Sequence, residues 1–67
     1  MNTDEMLDLA QRAKAWPTVE ETSTTYGLSI RLVRRLIADG EVRAFRLDRL
    51  RLDPDSFAAW LARRQRR

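Results

Sequence analysis

The strongest constraint on the fold of this chain lies in residues 18–39, where two short helices are predicted close together. Thr18 and Glu21 have the spacing of a capping box, in which each side chain accepts a backbone amide at the start of a helix. Gly27 supplies a left-handed residue to end that helix, and Ser29 can cap the next one. Two helices joined by about three residues that include a glycine have the sequence form of a helix-turn-helix.

The second of these helices, predicted over residues 30–39, has two different faces. At 100° per residue, its aliphatic side chains fill one continuous half of the circumference. The opposite arc carries Arg31, Arg34 and Arg35. Any amphipathic helix has a polar face, but such faces usually mix glutamate with lysine. A helix in the DNA major groove needs a buried face and an exposed face that reaches phosphates and bases. The pattern therefore predicts a recognition helix.

Residues 42–52 change to a period of two, which predicts a two-stranded hairpin, or wing. A two-residue turn at Asp48 and Arg49 would pair Leu47 with Leu50, Phe45 with Leu52, and Arg46 with Arg51. This pair of residues suits a tight turn poorly, because neither is a glycine that adopts positive φ. The candidate DNA-contacting residues of the wing are Arg46, Arg49 and Arg51, although exposed strand arginines can also serve solubility alone.

A helix is predicted on either side of this region. The first covers residues 3–14 and is capped by Asn2 or Thr3. The last begins at Asp53-Pro54, and residues 63–67 are expected to fray from it as a basic tail. Weaker DNA contacts are assigned to the tail residues Arg63, Arg64, Arg66 and Arg67. The predicted core consists of Val19, Leu28, Val33, Leu36, Ile37, Phe45, Leu47, Leu52, Phe57, Trp60 and Leu61.

The charge is unevenly distributed along the chain. Residues 1–30 carry two basic and five acidic residues, and residues 31–67 carry eleven arginines and five acids, giving −3 and +6. Twelve of the thirteen basic residues are arginine, which suits bidentate contacts to phosphate and guanine. A salt-bridged surface would also be charged, but this asymmetry in 67 residues favours a polyanionic partner.

The composition gives little support to an enzyme, a metal-binding protein or a membrane protein. The chain has no cysteine and no histidine, so disulfides and soft-ligand metal sites are excluded, and the commonest proton-transfer residue is missing. We predict no enzymatic activity, no cofactor and no small-molecule ligand. No apolar run or signal peptide suggests a membrane or export, so a cytoplasmic protein, associated with the nucleoid when bound, is expected. The aromatic residues are expected in the core rather than stacked on bases.

From Trp16 onward the sequence resembles the excisionase-type winged helix-turn-helix related to MerR DNA-binding domains. The resemblance lies in W-P-T-V-E-E-T, in Y-G-L-S-I-R-L-V-R-R-L-I-A-D-G-E-V and in R-L-R-L-D-P-D-S-F-A-A-W-L. It covers about residues 16–62 of a single predicted domain, 1–67. Two features depart from the family pattern: Asp48 stands where the wing usually has a glycine, and the helix at 3–14 is additional.

The resemblance implies a mainly α (α+β) winged helix-turn-helix. Ser29, Arg31, Arg34 and Arg35 would lie in the major groove, and Arg46, Arg49 and Arg51 would form the wing. An excisionase, or recombination directionality factor, binds cooperatively near an attachment site, bends DNA and helps a tyrosine integrase excise a phage or mobile element. A lone domain without an effector domain fits this role. The alternatives are a small transcriptional regulator and a protein-binding antiactivator that uses the fold without DNA.

Overall fold

The computed structural model describes residues 2–65, which form four helices and one antiparallel hairpin. The elements are α1 (Thr3–Ala13), α2 (Val19–Tyr26), α3 (Ile30–Ala38), β1 (Ala44–Arg46), β2 (Leu50–Leu52) and α4 (Pro54–Gln65). This arrangement is the predicted winged helix-turn-helix. Helices α1 and α3 each end one residue earlier than predicted, whereas α4 extends to the end of the described chain.

Local hydrogen bonds explain where the helices begin. Asn2 caps α1 by accepting the Glu5 amide at 2.8 Å. At α2 the capping box is complete, since the Thr18 hydroxyl accepts the Glu21 amide and the Glu21 carboxylate accepts the Thr18 amide. Such a cap contributes about 1 kcal/mol to stability. The predicted start signals are therefore confirmed.

The turn between α2 and α3 uses its glycine as predicted. Gly27 has a φ of 66°, a left-handed conformation that costs other residues about 1–2 kcal/mol. The Leu28 amide donates to the Ser23 carbonyl at 3.1 Å, and the Ser23 hydroxyl donates to the Leu28 carbonyl. These bonds close the turn and set α3 against α2.

The hairpin forms, but its predicted register is wrong by one residue. The observed partners are Ala44 with Leu52, Phe45 with Arg51, and Arg46 with Leu50. A two-residue type I′ turn needs positive φ at both central residues, and within residues 2–65 only Gly27 and Gly40 have positive φ. The chain instead turns over three residues, 47–49, and every cross-strand pair shifts with it.

The hairpin is tied to the rest of the domain on both sides. Thr18 forms a β-bridge with Arg51, and the Leu52 amide donates to the Pro17 carbonyl at 2.9 Å. On the other side, the Arg43 amide donates to the Ser56 hydroxyl of α4 at 2.8 Å. These hydrogen bonds therefore fix the position of the wing relative to the helices.

The core lies between α2, α3, the hairpin and α4. Its buried cluster consists of Val19, Val33, Leu36, Val42, Leu52, Phe57 and Trp60, with Leu28, Leu32, Ile37, Leu50 and Leu61 partly buried around it. Phe45 and Leu47 were predicted in this core and are only half-buried, because the register shift turns them away. Val42, which precedes β1, was not predicted and is 2% exposed.

Helix α1 joins this core only at its C-terminal end. Ala13 is its buried residue, whereas Met6 and Leu7 are 51% and 56% exposed. Asp8 and Arg12 form an exposed ion pair at 3.0 Å on the same helix. The additional helix therefore offers an acidic, partly apolar surface to solvent.

Candidate nucleic-acid interface

Helix α3 presents its arginines in the predicted orientation. Val33 and Leu36 are buried beneath it, and Arg31, Arg34 and Arg35 are exposed on the opposite side. The aliphatic half packs against the core and fixes the helix. The arginine half therefore faces outward although its own side chains do not pack on the core. This division is the one a groove-binding helix requires.

Ser29 lies at the N-terminal end of this surface. Its hydroxyl accepts the Leu32 amide at 3.0 Å and thereby caps α3. The hydroxyl proton is still available for donation. Ser29 therefore has a structural role in starting the helix, and a contact to DNA by the same group stays a prediction.

A cleft of about 500 Å³ separates α3 from the wing. Arg34 enters it from α3, and Arg46 and Arg49 enter it from the hairpin. The apolar part of the lining comes from α2, α3 and β2 and consists of Val19, Ile37, Ala38 and Leu50. The cleft joins the recognition helix and the wing into one continuous surface on which three arginines converge.

The arginines of this surface differ from Arg12 and Arg51 in their charge partners. In the described part of the chain, the ion pairs are Arg12 with Asp8 and Arg51 with Asp48. Among residues 2–65, no carboxylate lies within 4.0 Å of the guanidinium groups of Arg34, Arg46 and Arg49 or of the two other α3 arginines. Glu20 and Asp48 also line the cleft, so it combines several unpaired positive charges with two acids.

A family model for the helix-turn-helix domain matches residues 18–65. The chain belongs to this family of DNA-binding domains. The match starts at the capping box of α2 and ends with α4, so α1 lies outside it. No curated protein and no solved structure matches the chain.

Arg51 of this helix-turn-helix domain differs from the other wing arginines. Its Nη1 donates to the Trp16 carbonyl at 2.8 Å, and its Nε donates to Asp48 at 3.3 Å. The Arg51 side chain is only 20% exposed. The predicted placement of the wing arginines on one face is therefore wrong, since Arg46 and Arg49 line the cleft whereas Arg51 points away from it.

Two carboxylates near the wing have shifted acidities. The side-chain hydrogen bond from Arg51 and the backbone amide of Arg49 hold the pKa of Asp48 below its usual value. The backbone amide of Thr18 lowers the pKa of Glu21, with smaller contributions from the Thr18 hydroxyl and from Arg51. Arg51 thus contributes to stabilising the charged forms of both carboxylates.

The described part of the basic tail, residues 63–65, is helical. Arg63 and Arg64 belong to the last turn of α4 and do not fray from it. The Arg64 guanidinium lies 5.4 Å from the Trp60 ring centroid, a cation–π distance, and Arg63 donates to the Glu41 carbonyl at 3.5 Å. The predicted contacts by Arg66 and Arg67 lie outside the described residues.

Sequence reasoning missed the role of Asp48, which it treated only as a turn residue. Its spacing of three from Arg51 was the available signal. Within residues 2–65, no group of three or more acids is placed to hold a metal ion. Over the same range, every helix is too short or too polar to span a bilayer.

Proposed function

We propose that this helix-turn-helix domain binds double-stranded DNA sequence-specifically, with α3 in the major groove and the wing along the adjacent backbone. The observation that carries the proposal is the cleft in which Arg34, Arg46 and Arg49 converge without a carboxylate partner among residues 2–65. Guanidinium groups without a carboxylate partner can bind phosphate or guanine without first breaking an ion pair, and their planar fork can donate two hydrogen bonds to one acceptor group.

The two parts of the surface have different tasks. Arg31, Arg34 and Arg35 project from α3, where side chains reach base edges and discriminate sequence. Arg46 and Arg49 contact phosphates or a narrow minor groove and set the register of the domain on the duplex. The α4 arginines add general electrostatic attraction, reduced by their contacts within the domain.

Fluorescence anisotropy with a labelled duplex tests this proposal. Replacing Arg34 with alanine should weaken binding by about 1–3 kcal/mol if the side chain reads a base edge. Arg12→Ala is the matched control, because Arg12 is an arginine on α1 that already pairs with Asp8. The logarithm of the association constant should also fall linearly with the logarithm of the salt concentration, with a slope of about −0.9 per phosphate contact. Equal affinities for the two variants would contradict the assignment of the cleft.

The biological role that we propose is excision of a mobile element. The domain would act as an architectural excisionase that binds cooperatively near an attachment site, bends the DNA and assists a tyrosine integrase. The resemblance of residues 16–62 to excisionase domains supports this role. One recognition helix with one short wing makes few base contacts, so occupancy of a specific site among many competitors requires several adjacent copies.

Reconstituted recombination separates this role from its alternatives. With a tyrosine integrase and DNA carrying both of its attachment sites, an excisionase raises the yield of excised circle. Binding at promoter DNA without any effect on excision would instead indicate a transcriptional regulator. Failure to bind any duplex at low salt would indicate the antiactivator function, which needs no DNA.

A further inference from the structure

The tip of the wing is a three-residue turn without a glycine. The Asp48 carboxylate accepts the Arg49 amide at 2.7 Å, and the Leu47 amide donates to the Arg49 carbonyl at 3.0 Å. Asp48 is therefore the residue around which the turn is organised. The direction of the Arg49 side chain, which enters the cleft, depends on this local geometry.

Arg51 holds the same carboxylate from the neighbouring strand. Its Nε lies 3.3 Å from one Asp48 oxygen and its Nη2 lies 3.5 Å from the other. Its Nη1 donates to the carbonyls of Trp16, at 2.8 Å, and Lys14, at 3.4 Å. One guanidinium thus connects the wing tip to the backbone between α1 and α2.

The strand register directs Arg51 to the side of the hairpin opposite the cleft. Side chains alternate between the two faces of a strand, and directly paired residues share a face. Arg46 and Leu50 are paired and both line the cleft, whereas Arg51 is paired with Phe45. A DNA duplex in the cleft would meet Arg46 and Arg49, with Arg51 behind them.

We infer that Arg51 is a positioning residue: by clamping Asp48 to the Lys14–Trp16 backbone, it holds the wing tip so that Arg49 faces DNA. The inference rests on the proposed DNA-binding function. It assigns Asp48 a favourable role in DNA binding although its charge repels phosphate. Arg51 acts through hydrogen bonds inside the domain rather than through a contact to the ligand.

Replacing Asp48 should change DNA affinity in opposite directions depending on whether the clamp of Asp48 by Arg51 operates. Asp48→Ala removes a negative charge from the cleft, which by electrostatics alone strengthens DNA binding. Loss of the clamp should instead weaken binding by about three- to tenfold, because the wing tip becomes mobile. Asp39→Ala is the matched control, since it removes an exposed acid at the end of α3 outside the clamp. This control should bind as tightly as the parent or more tightly.

Arg51→Lys completes the test because it keeps the positive charge. A lysine presents a point charge that satisfies a phosphate but cannot reproduce the planar fork that joins Asp48 to two carbonyls. We expect Arg51→Lys to weaken binding about as much as Asp48→Ala, and the double variant to be little worse than either. Amide hydrogen exchange at Arg49 should accelerate in both single variants.

The outcomes distinguish the inference from the proposed function. Wild-type affinity in Arg51→Lys, or binding by Asp48→Ala as tight as by Asp39→Ala, would overturn the clamp while leaving DNA binding intact. Absence of duplex binding by the parent protein would overturn the proposed function itself. Circular dichroism spectra and thermal melts, compared with those of the parent protein, establish that each variant is folded. Should Arg51→Lys unfold, Asp48→Asn decides the question, because its amide oxygen can still accept the Arg49 amide while the charged pair with Arg51 is lost.

Discussion

Single residues in this domain divide into those whose environment follows from their own helix or strand and those whose environment depends on distant backbone. Leu36 belongs to the first group, since its position on α3 already placed it inward, and it is 6% exposed. Leu47 belongs to the second, because the turn that contains it shifted by one residue. The two leucines therefore provide a direct comparison of core and wing.

Leu36→Ala should destabilise the domain by about 2–5 kcal/mol, because it leaves a cavity in the buried cluster. Leu47→Ala should cost much less, since this side chain is half-buried at the wing and lies outside the cluster. Urea denaturation of both variants measures the difference. Equal losses of unfolding free energy would show that the wing is as tightly packed as the core.

At the scale of elements, the junction before α2 organises much of the structure. Thr18 caps α2, and it also bridges to Arg51 in β2. The carbonyl of Pro17 accepts the Leu52 amide. The start of the helix-turn-helix and the base of the wing therefore share one short stretch of backbone, so weakening the capping box should affect both.

The capping box predicts how stability depends on pH. The pKa of Glu21 is lowered in the folded protein, so the unfolded chain binds this proton more readily. The stabilisation contributed by the Glu21 carboxylate is fully present above pH 4.5, which is the ordinary pKa of a glutamate. It is lost as the pH falls through the lower pKa of the folded protein. Thermal melts of the parent and of Glu21→Gln between pH 3 and pH 7 should converge at the acidic end. A constant difference in Tm across this range would contradict the prediction.

At the scale of the whole molecule, the charges are separated in space as well as in sequence. Helix α1 carries Asp4, Glu5 and Asp8 away from the cleft, and it joins the core only near Ala13. The surface formed by α3 and the wing is dominated by arginine. We propose that this acidic projection contacts the basic surface of a neighbouring copy, and such a head-to-tail contact would propagate along DNA.

This arrangement predicts cooperative binding that depends on α1. Reversing Asp4, Glu5 and Asp8 to lysine makes the protein more basic, so binding to a duplex with a single site should become tighter. Binding to a duplex with repeated sites should lose its cooperativity, because the contact between copies is gone. Gel shifts of this triple variant measure its affinity on the single-site duplex and its cooperativity on the duplex with repeated sites. Independent binding steps by the parent protein on repeated sites would contradict the head-to-tail contact.

The sequence by itself determined the features that depend on neighbours a few residues apart. The capping box at Thr18, the left-handed Gly27 and the amphipathic phase of α3 all rest on hydrogen bonds and periodicities within one or two turns. These features were sufficient to predict the helix-turn-helix and to place Arg31, Arg34 and Arg35 on the exposed side. The change to a period of two likewise predicted the wing.

Only the tertiary structure decided the register of that wing and the direction of Arg51. Without a glycine at the tip, the number of residues in the turn depended on how the hairpin packs, and a shift by one residue moves every side chain of β1 to the opposite face relative to β2. The carbonyl acceptors of Arg51 lie 35 and 37 residues earlier in the chain. Local patterns carry no information about partners at that separation, which is why three wing arginines that look alike in sequence occupy two different environments in the fold.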